Sequence, residues 1–138
     1  MPVNDYSVLA TIHMGTPAHG TNCYVSGRTN PSTHARYVAG HTQGLGWGLY
    51  YMDGRGNETL LSPHYGQTIL SSNTVYTLEL RIVGSSISMY VNNVLAGSAT
   101  NTAIPTGNHA GVEITGSGSG GSSSYEVYDW TVTSPSAR

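Results

Sequence analysis

The stretch Tyr76-Thr77-Leu78-Glu79-Leu80-Arg81-Ile82 decides the fold class, because its even positions are apolar or aromatic and its odd positions are polar. Side chains alternate across a strand with period two, so this run is a strand with one buried face. Glu79 and Arg81 fall on the other face. Val83-Gly84-Ser85-Ser86 follows as a turn, and Ile87-Ser88-Met89-Tyr90-Val91 is a second strand in which Ile87, Met89 and Val91 share a face. The two form a hairpin, and Asn92-Asn93 opens another tight turn into Val94-Leu95-Ala96-Gly97. That pairing puts Tyr90 on the face of Glu79 and Arg81.

The same grammar extends both ways along the chain. Upstream, Tyr6 to Ile12 alternates, and Asn22 to Ser26 and Ala35 to Ala39 are short strand candidates. Trp47-Gly48-Leu49-Tyr50-Tyr51-Met52 stops at the turn residues Asp53-Gly54-Arg55-Gly56-Asn57, and Glu58 to Leu61 returns. Downstream, Ala110 to Ile114 and Tyr125 to Val132 read as strands, separated by a Gly/Ser-rich surface loop over about 115–124. No segment keeps apolar residues at helical spacing. Many short strands without intervening helices make an all-β, antiparallel, two-sheet sandwich, expected as a single domain over residues 1–138.

Composition excludes several functions. The charged fraction is 9%, against roughly 25% in an ordinary soluble protein, and lysine is absent. The five cationic residues, Arg28, Arg36, Arg55, Arg81 and Arg138, form no cluster in the sequence, which excludes a nucleic-acid partner. No apolar run approaches the ~18 residues of a membrane span, so membrane insertion is not expected. The N-terminal Met1-Pro2-Val3-Asn4-Asp5 shows no basic region followed by an apolar run, so no signal peptide is expected in this chain. The expected location is a virion surface or an extracellular setting. Cys23 is the single cysteine, excludes an internal disulfide, and is expected to be buried and inert.

The order of these pieces resembles the concanavalin A-like (laminin G-like) jelly-roll superfamily. The resemblance is carried by Leu78 through Asn93, an alternating strand, a Gly turn and an aromatic strand leading to a tight turn, where Asn93 replaces the usual Gly. Ala110-Gly111-Val112, the closing Tyr128-Asp129-Trp130-Thr131-Val132, and Arg36 to Gly40 through Trp47 to Leu61 are also similar to family elements. The resemblance implies a jelly-roll sandwich. It also implies that a segment usual before the Asp5–Ile12 strand is missing, leaving an open edge or an uncovered face, and hence a domain expected to be completed by a neighbouring protein.

Catalysis is not expected. Glycoside hydrolases of this fold need two carboxyl groups close together, and the acids Asp5, Asp53, Glu58, Glu79, Glu113, Glu126 and Asp129 show no spacing of two or four along a strand. The Gln-x-His element of lyases of this fold is also absent. The histidines at 13, 19, 34, 41, 64 and 109 lack metal-ligand spacing and read as exposed loop residues. No cofactor is expected. Calcium has two candidate anchors, Asp53 and Asp129, each also explained as a turn-capping or strand-end acid.

Ten tyrosines and two tryptophans suit a glycan face, because sugars stack on aromatics while amides and carboxylates take their hydroxyls. On the strand from 47 to 52, either Trp47 and Tyr51 or Tyr50 must leave the core. The candidate face for a glycan or a protein partner is therefore Trp47, Tyr50, Tyr51, Glu79, Arg81 and Tyr90. Its alternative is a cross-strand Tyr and an Arg–Glu pair that merely cover a sheet. Trp130 is expected in the core. Two functions remain. One is a non-enzymatic structural module with protein neighbours or a homo-oligomer as partners, such as a phage capsid decoration or tail component. The other is a carbohydrate-binding, lectin-like module of a secreted enzyme or adhesin.

Overall fold

A computed structural model describes residues 4–15, 22–107, 109–115 and 125–135. Among the described residues ten strands run in order: β1 (Tyr6–Met14), β2 (Asn22–Gly27), β3 (Arg36–Thr42), β4 (Gly46–Met52), β5 (Glu58–Tyr65), β6 (Thr74–Val83), β7 (Ser86–Val91), β8 (Val94–Thr100), β9 (Gly111–Thr115) and β10 (Tyr125–Thr133). They form two antiparallel five-stranded sheets. The first has the order β10-β1-β6-β7-β8 and the second β5-β4-β3-β2-β9. The Gly/Ser-rich run after β9 lies outside the described residues.

The deciding hairpin forms as the alternation requires. Leu78, Leu80 and Ile82 of β6 and Ile87, Met89 and Val91 of β7 are buried in one cluster. Each such side chain contributes roughly 1.5–3 kcal/mol by leaving water. Asn92 and Asn93 take φ of +50° and +65°, the left-handed pair that a two-residue hairpin turn needs. Asn substitutes for Gly here because its short amide tolerates that region, and Asn92 Oδ1 accepts the Thr77 backbone N–H at 2.9 Å.

Opposite the first sheet, Cys23, Val25, Tyr37, Ala39, Trp47 and Leu49 supply the other half of the core. Three expectations need correction. β5 runs to Tyr65 through Pro63, past the expected stop at Leu61. It is an edge strand, where a residue without an N–H costs no ladder bond. His41, expected on an exposed loop, is in β3 and only 1% exposed, with Nε2 2.7 Å from the Gln67 carbonyl oxygen. Trp130, expected in the core, is 46% exposed, because it sits on the edge strand β10.

The connection after β2 is fixed from inside. Arg28 is 1% exposed, and its guanidinium donates to the carbonyl oxygens of Asn4 at 2.9 and 2.8 Å and Ile104 at 3.1 Å, and to Asp5 Oδ1 at 3.3 Å. A buried guanidinium is tolerated only with its donors satisfied in this way. It ties the start of β1 to the β8–β9 connection and anchors the segment that leads to the site below.

Candidate functional site

Period-two alternation in the second sheet sends Tyr24 and Ser26 of β2, Arg36, Val38, Gly40 and Thr42 of β3, Gly48, Tyr50 and Met52 of β4 and Glu113 of β9 to the face turned away from the core. Tyr24, Val38 and Tyr50, with Met52 against them, form a second, smaller apolar cluster there. Gly40 and Gly48 are cross-strand partners. A Cβ at Gly40 would fall 2.4 Å from Tyr24 Cδ1, and one at Gly48 would fall 2.6 Å from Tyr50 Cε2. The two glycines thus leave the space in which the tyrosine rings lie. The rings meet edge to face with centroids 6.0 Å apart. Tyr24 Oη is 2.7 Å from Thr42 Oγ1 and Tyr50 Oη is 2.7 Å from His64 Nε2. Burial raises both phenol pKa values, that of Tyr50 to about 12, so both stay neutral.

Beside this paved floor, Arg36 makes a two-pronged bond to Glu113. Nε reaches Oε2 and Nη2 reaches Oε1, each at 2.9 Å, while Nη1 donates to the His34 carbonyl oxygen at 2.9 Å. The fork fixes the plane of both groups and cancels their charge. A depression of about 470 Å³ opens on one side of Arg36, lined by Ser26, Thr29, His34, His109 and Glu113 with Gly111 among them. A second, of about 220 Å³, lies on its other side against Met52, Asn57 and Glu58. His34 sits at φ +65°, a left-handed conformation that costs a non-glycine residue energy and clusters at functional sites. Thr29 Oγ1 is buried and has no hydrogen-bond partner among the described residues, a polar atom on the wall of the larger depression.

The expected site residues divide among three places. Tyr50 lies on this face but is 4% exposed, a floor residue. Trp47 and Tyr51 take the opposite side of β4, so their assignment to an exposed face is corrected. Trp47 is 3% exposed in the core against His41 and Tyr76, and Tyr51 is half-buried against Tyr37. Glu79, Arg81 and Tyr90 lie on the outer face of the first sheet, with Glu79 paired to Tyr90 and Arg81 to Ser88. Their expected union with Tyr50 does not form, because the outer faces of two stacked sheets point in opposite directions. Glu79 is also buried, at 4% exposure, and Oε2 accepts Ser7 Oγ at 2.6 Å. Glu79, Tyr90 and Asp129 line a separate cavity of about 210 Å³.

Asp53 is occupied by its own turn. It accepts the Arg55 N–H at 2.7 Å and Asn57 Nδ2–H at 2.8 Å, and these bonds hold its carboxyl below the usual range. No group of three or more His, Cys, Asp and Glu side chains suited to a metal occurs among the described residues. His13 stacks on Tyr128 at 5.5 Å, and His19 lies outside the described residues. The sequence reading missed the Arg36–Glu113 pair. Its partners are 77 residues apart and meet only because β9 adds to β2, which no local pattern announces.

No family model matches the chain, and no curated protein matches it. Solved structures do. The carbohydrate binding module CBM66 from Bacillus subtilis superposes with a TM-score of 0.75 at 14% identity, over 97% of this chain and 78% of that one. The Caenorhabditis elegans galectin LEC-6 gives 0.64 at 20% identity, over 96% and 88%. A Bacillus licheniformis β-glucanase gives 0.64 at 16% identity, over 99% and 69%. The fold is therefore the concanavalin A-like lectin/glucanase jelly roll. At these identities the likeness establishes the fold alone, and the fold is shared by binding modules and hydrolases.

Proposed function

We propose that this chain is a carbohydrate-binding, lectin-like module that holds a neutral, hydroxyl-rich sugar in the depression beside Arg36. The observation that carries the reading is the convergence of the Arg36–Glu113 fork, Ser26, Thr29, His34 and His109 on one depression of about 470 Å³. Sugars present adjacent hydroxyls that both donate and accept, and this lining offers fixed donors and acceptors. Because Glu113 neutralises Arg36 and Glu58 lies just beyond, the site has no surplus positive charge to favour an acidic sugar or a phosphate. The carbohydrate-binding module and galectin folds support the reading by analogy.

The module is not a hydrolase in this reading. Hydrolysis needs one carboxyl to donate a proton and a second to act as nucleophile or base. Both oxygens of Glu113 are engaged by Arg36, and Glu79 in the first sheet is buried against Ser7. The virion-component expectation gains no support from the similar structures named above. A glycan array tests the proposal. Neutral glycans bind, uronates and sialylated glycans do not, and Arg36→Ala or Glu113→Gln lowers the signal at least tenfold while the protein stays folded. Binding that is unchanged in both variants, or release of reducing ends from the bound glycan, refutes it.

A further inference from the structure

The depression beside Arg36 carries two histidines, His34 and His109, both exposed to solvent. Each is held in place by its backbone. Asn30 builds the turn that presents His34. Its Oδ1 accepts the Ser32 and Thr33 N–H groups at 2.8 and 3.1 Å, and its carbonyl oxygen accepts the His34 N–H at 2.7 Å. The His109 carbonyl oxygen accepts the Thr29 N–H at 3.0 Å, which ties the segment before β9 to the one after β2. Arg36 shares this lining, and a guanidinium has five N–H groups. Among the described residues three of them are committed, two to Glu113 and one to the His34 carbonyl oxygen. One N–H on Nη1 and one on Nη2 are left for a ligand.

Two such N–H groups suit a carboxylate, the partner that arginine binds with paired bonds. Charge decides when one can enter. Glu113 already neutralises Arg36, so at neutral pH a ligand carboxylate would be a surplus negative charge on the same guanidinium. Histidine is the side chain whose charge changes between about pH 5 and 8. We infer, on the strength of the carbohydrate-binding reading of this depression, that protonation of His34 and His109 turns it into a site for carboxylate-bearing glycans, uronates or sialylated chains. It holds neutral sugars at neutral pH and accepts acidic ones in mild acid. The sign follows from the groups present. Two imidazolium charges outweigh the one surplus negative charge, and the sugar keeps its own charge because carboxyl groups lose their proton near about pH 4. The surrounding groups do not reverse this. Tyr6 donates its hydroxyl to the His109 carbonyl oxygen and stays neutral, since burial raises its pKa. Arg28, next to Thr29, is buried and paired with Asp5. Glu58 lies in the second depression, beyond Arg36. Thr29 Oγ1, buried and without a partner among the described residues, adds a hydroxyl donor on the wall.

A glycan array of neutral, uronate and sialylated chains, probed at about pH 7.5 and again at about pH 5.5, tests the inference, because histidine changes charge between the two. Neutral glycans bind at both. Acidic glycans bind in mild acid by roughly tenfold or more over neutral pH, the gain expected from opposite charges a few ångströms apart near a surface. His34→Asn, a residue that tolerates the left-handed backbone at this position, combined with His109→Gln removes that gain without lowering the unfolding midpoint. On the unmodified protein, a saturating uronate oligosaccharide moves the NMR titrations of both imidazoles to higher pH, by amounts whose sum is the logarithm of the affinity gain. Acidic glycans bound equally at both pH values, or at neither, overturn the inference, as does a gain that survives in the double variant. Neutral glycans absent from the array while acidic ones are still captured in mild acid refute the neutral-sugar assignment and not the acid-dependent one.

Discussion

Gly48→Ala tests the floor of the candidate site. The added Cβ would lie 2.6 Å from Tyr50 Cε2, 2.7 Å from Oη and 2.8 Å from Cζ, so the ring must move. It is held by the bond to His64 and by its edge-to-face contact with Tyr24. Displacement forfeits about 1 kcal/mol for the hydrogen bond and about 1 kcal/mol for the aromatic pair. Removing a strand glycine returns roughly 0.5–1 kcal/mol through the unfolded chain, for a net loss of about 1–1.5 kcal/mol. With Tyr50→Ala already present the ring is gone, and the same Gly48→Ala change becomes stabilising by roughly 0.5–1 kcal/mol. Urea unfolding of the four proteins therefore gives a coupling energy of about 2 kcal/mol. Additivity of the two substitutions would mean that the ring does not lie over Gly48, and the account of the floor would fail.

Other positions give independent checks. Burial pushes the Cys23 thiol up to about 12, so a thiol reagent labels the native protein only as fast as it opens, and labelling at the rate of a free thiol contradicts its placement. Burial lowers the pKa of His41, so the folded protein stays neutral there while the unfolded chain takes up a proton below about pH 6.5. Unfolding free energy then falls as the pH drops below that value, and NMR finds the ring neutral where an exposed histidine is charged. Arg28→Met strands the Asn4 and Ile104 carbonyl oxygens and lowers stability by about 3 kcal/mol by chemical denaturation, while a loss under ~1 kcal/mol contradicts the buried bond set.

Much of the fold was written in local patterns, and little of the site was. Alternation over residues 76–82 identified β6 and its buried face, and the Gly84-Ser85 turn fixed the register that pairs Glu79 with Tyr90. The strand at 47–52 was recognised, but its orientation was not. Both of its faces carry aromatics, Trp47 and Tyr51 on one and Tyr50 on the other, so periodicity alone cannot choose the inner one. Gly48 held the answer, since a Cβ there would meet the Tyr50 ring, while one at Gly40 would meet the Cys23 carbonyl oxygen as well as the Tyr24 ring. Trp130 was misplaced because burial on an edge strand depends on what the opposite sheet supplies. Arg36 and Glu113 meet across β3, β2 and β9, and a sheet neighbour so distant in sequence leaves no trace in composition or spacing.

The most direct test of the carbohydrate-binding reading is NMR shift mapping with a neutral glycan drawn from the array. The perturbed resonances are expected to cluster at Ser26, Thr29, His34, Arg36, His109 and Glu113, and the perturbations to disappear in Arg36→Ala. Perturbations centred instead on Glu79, Tyr90 and Asp129 of the first sheet, or no saturable shift with any glycan, contradict it.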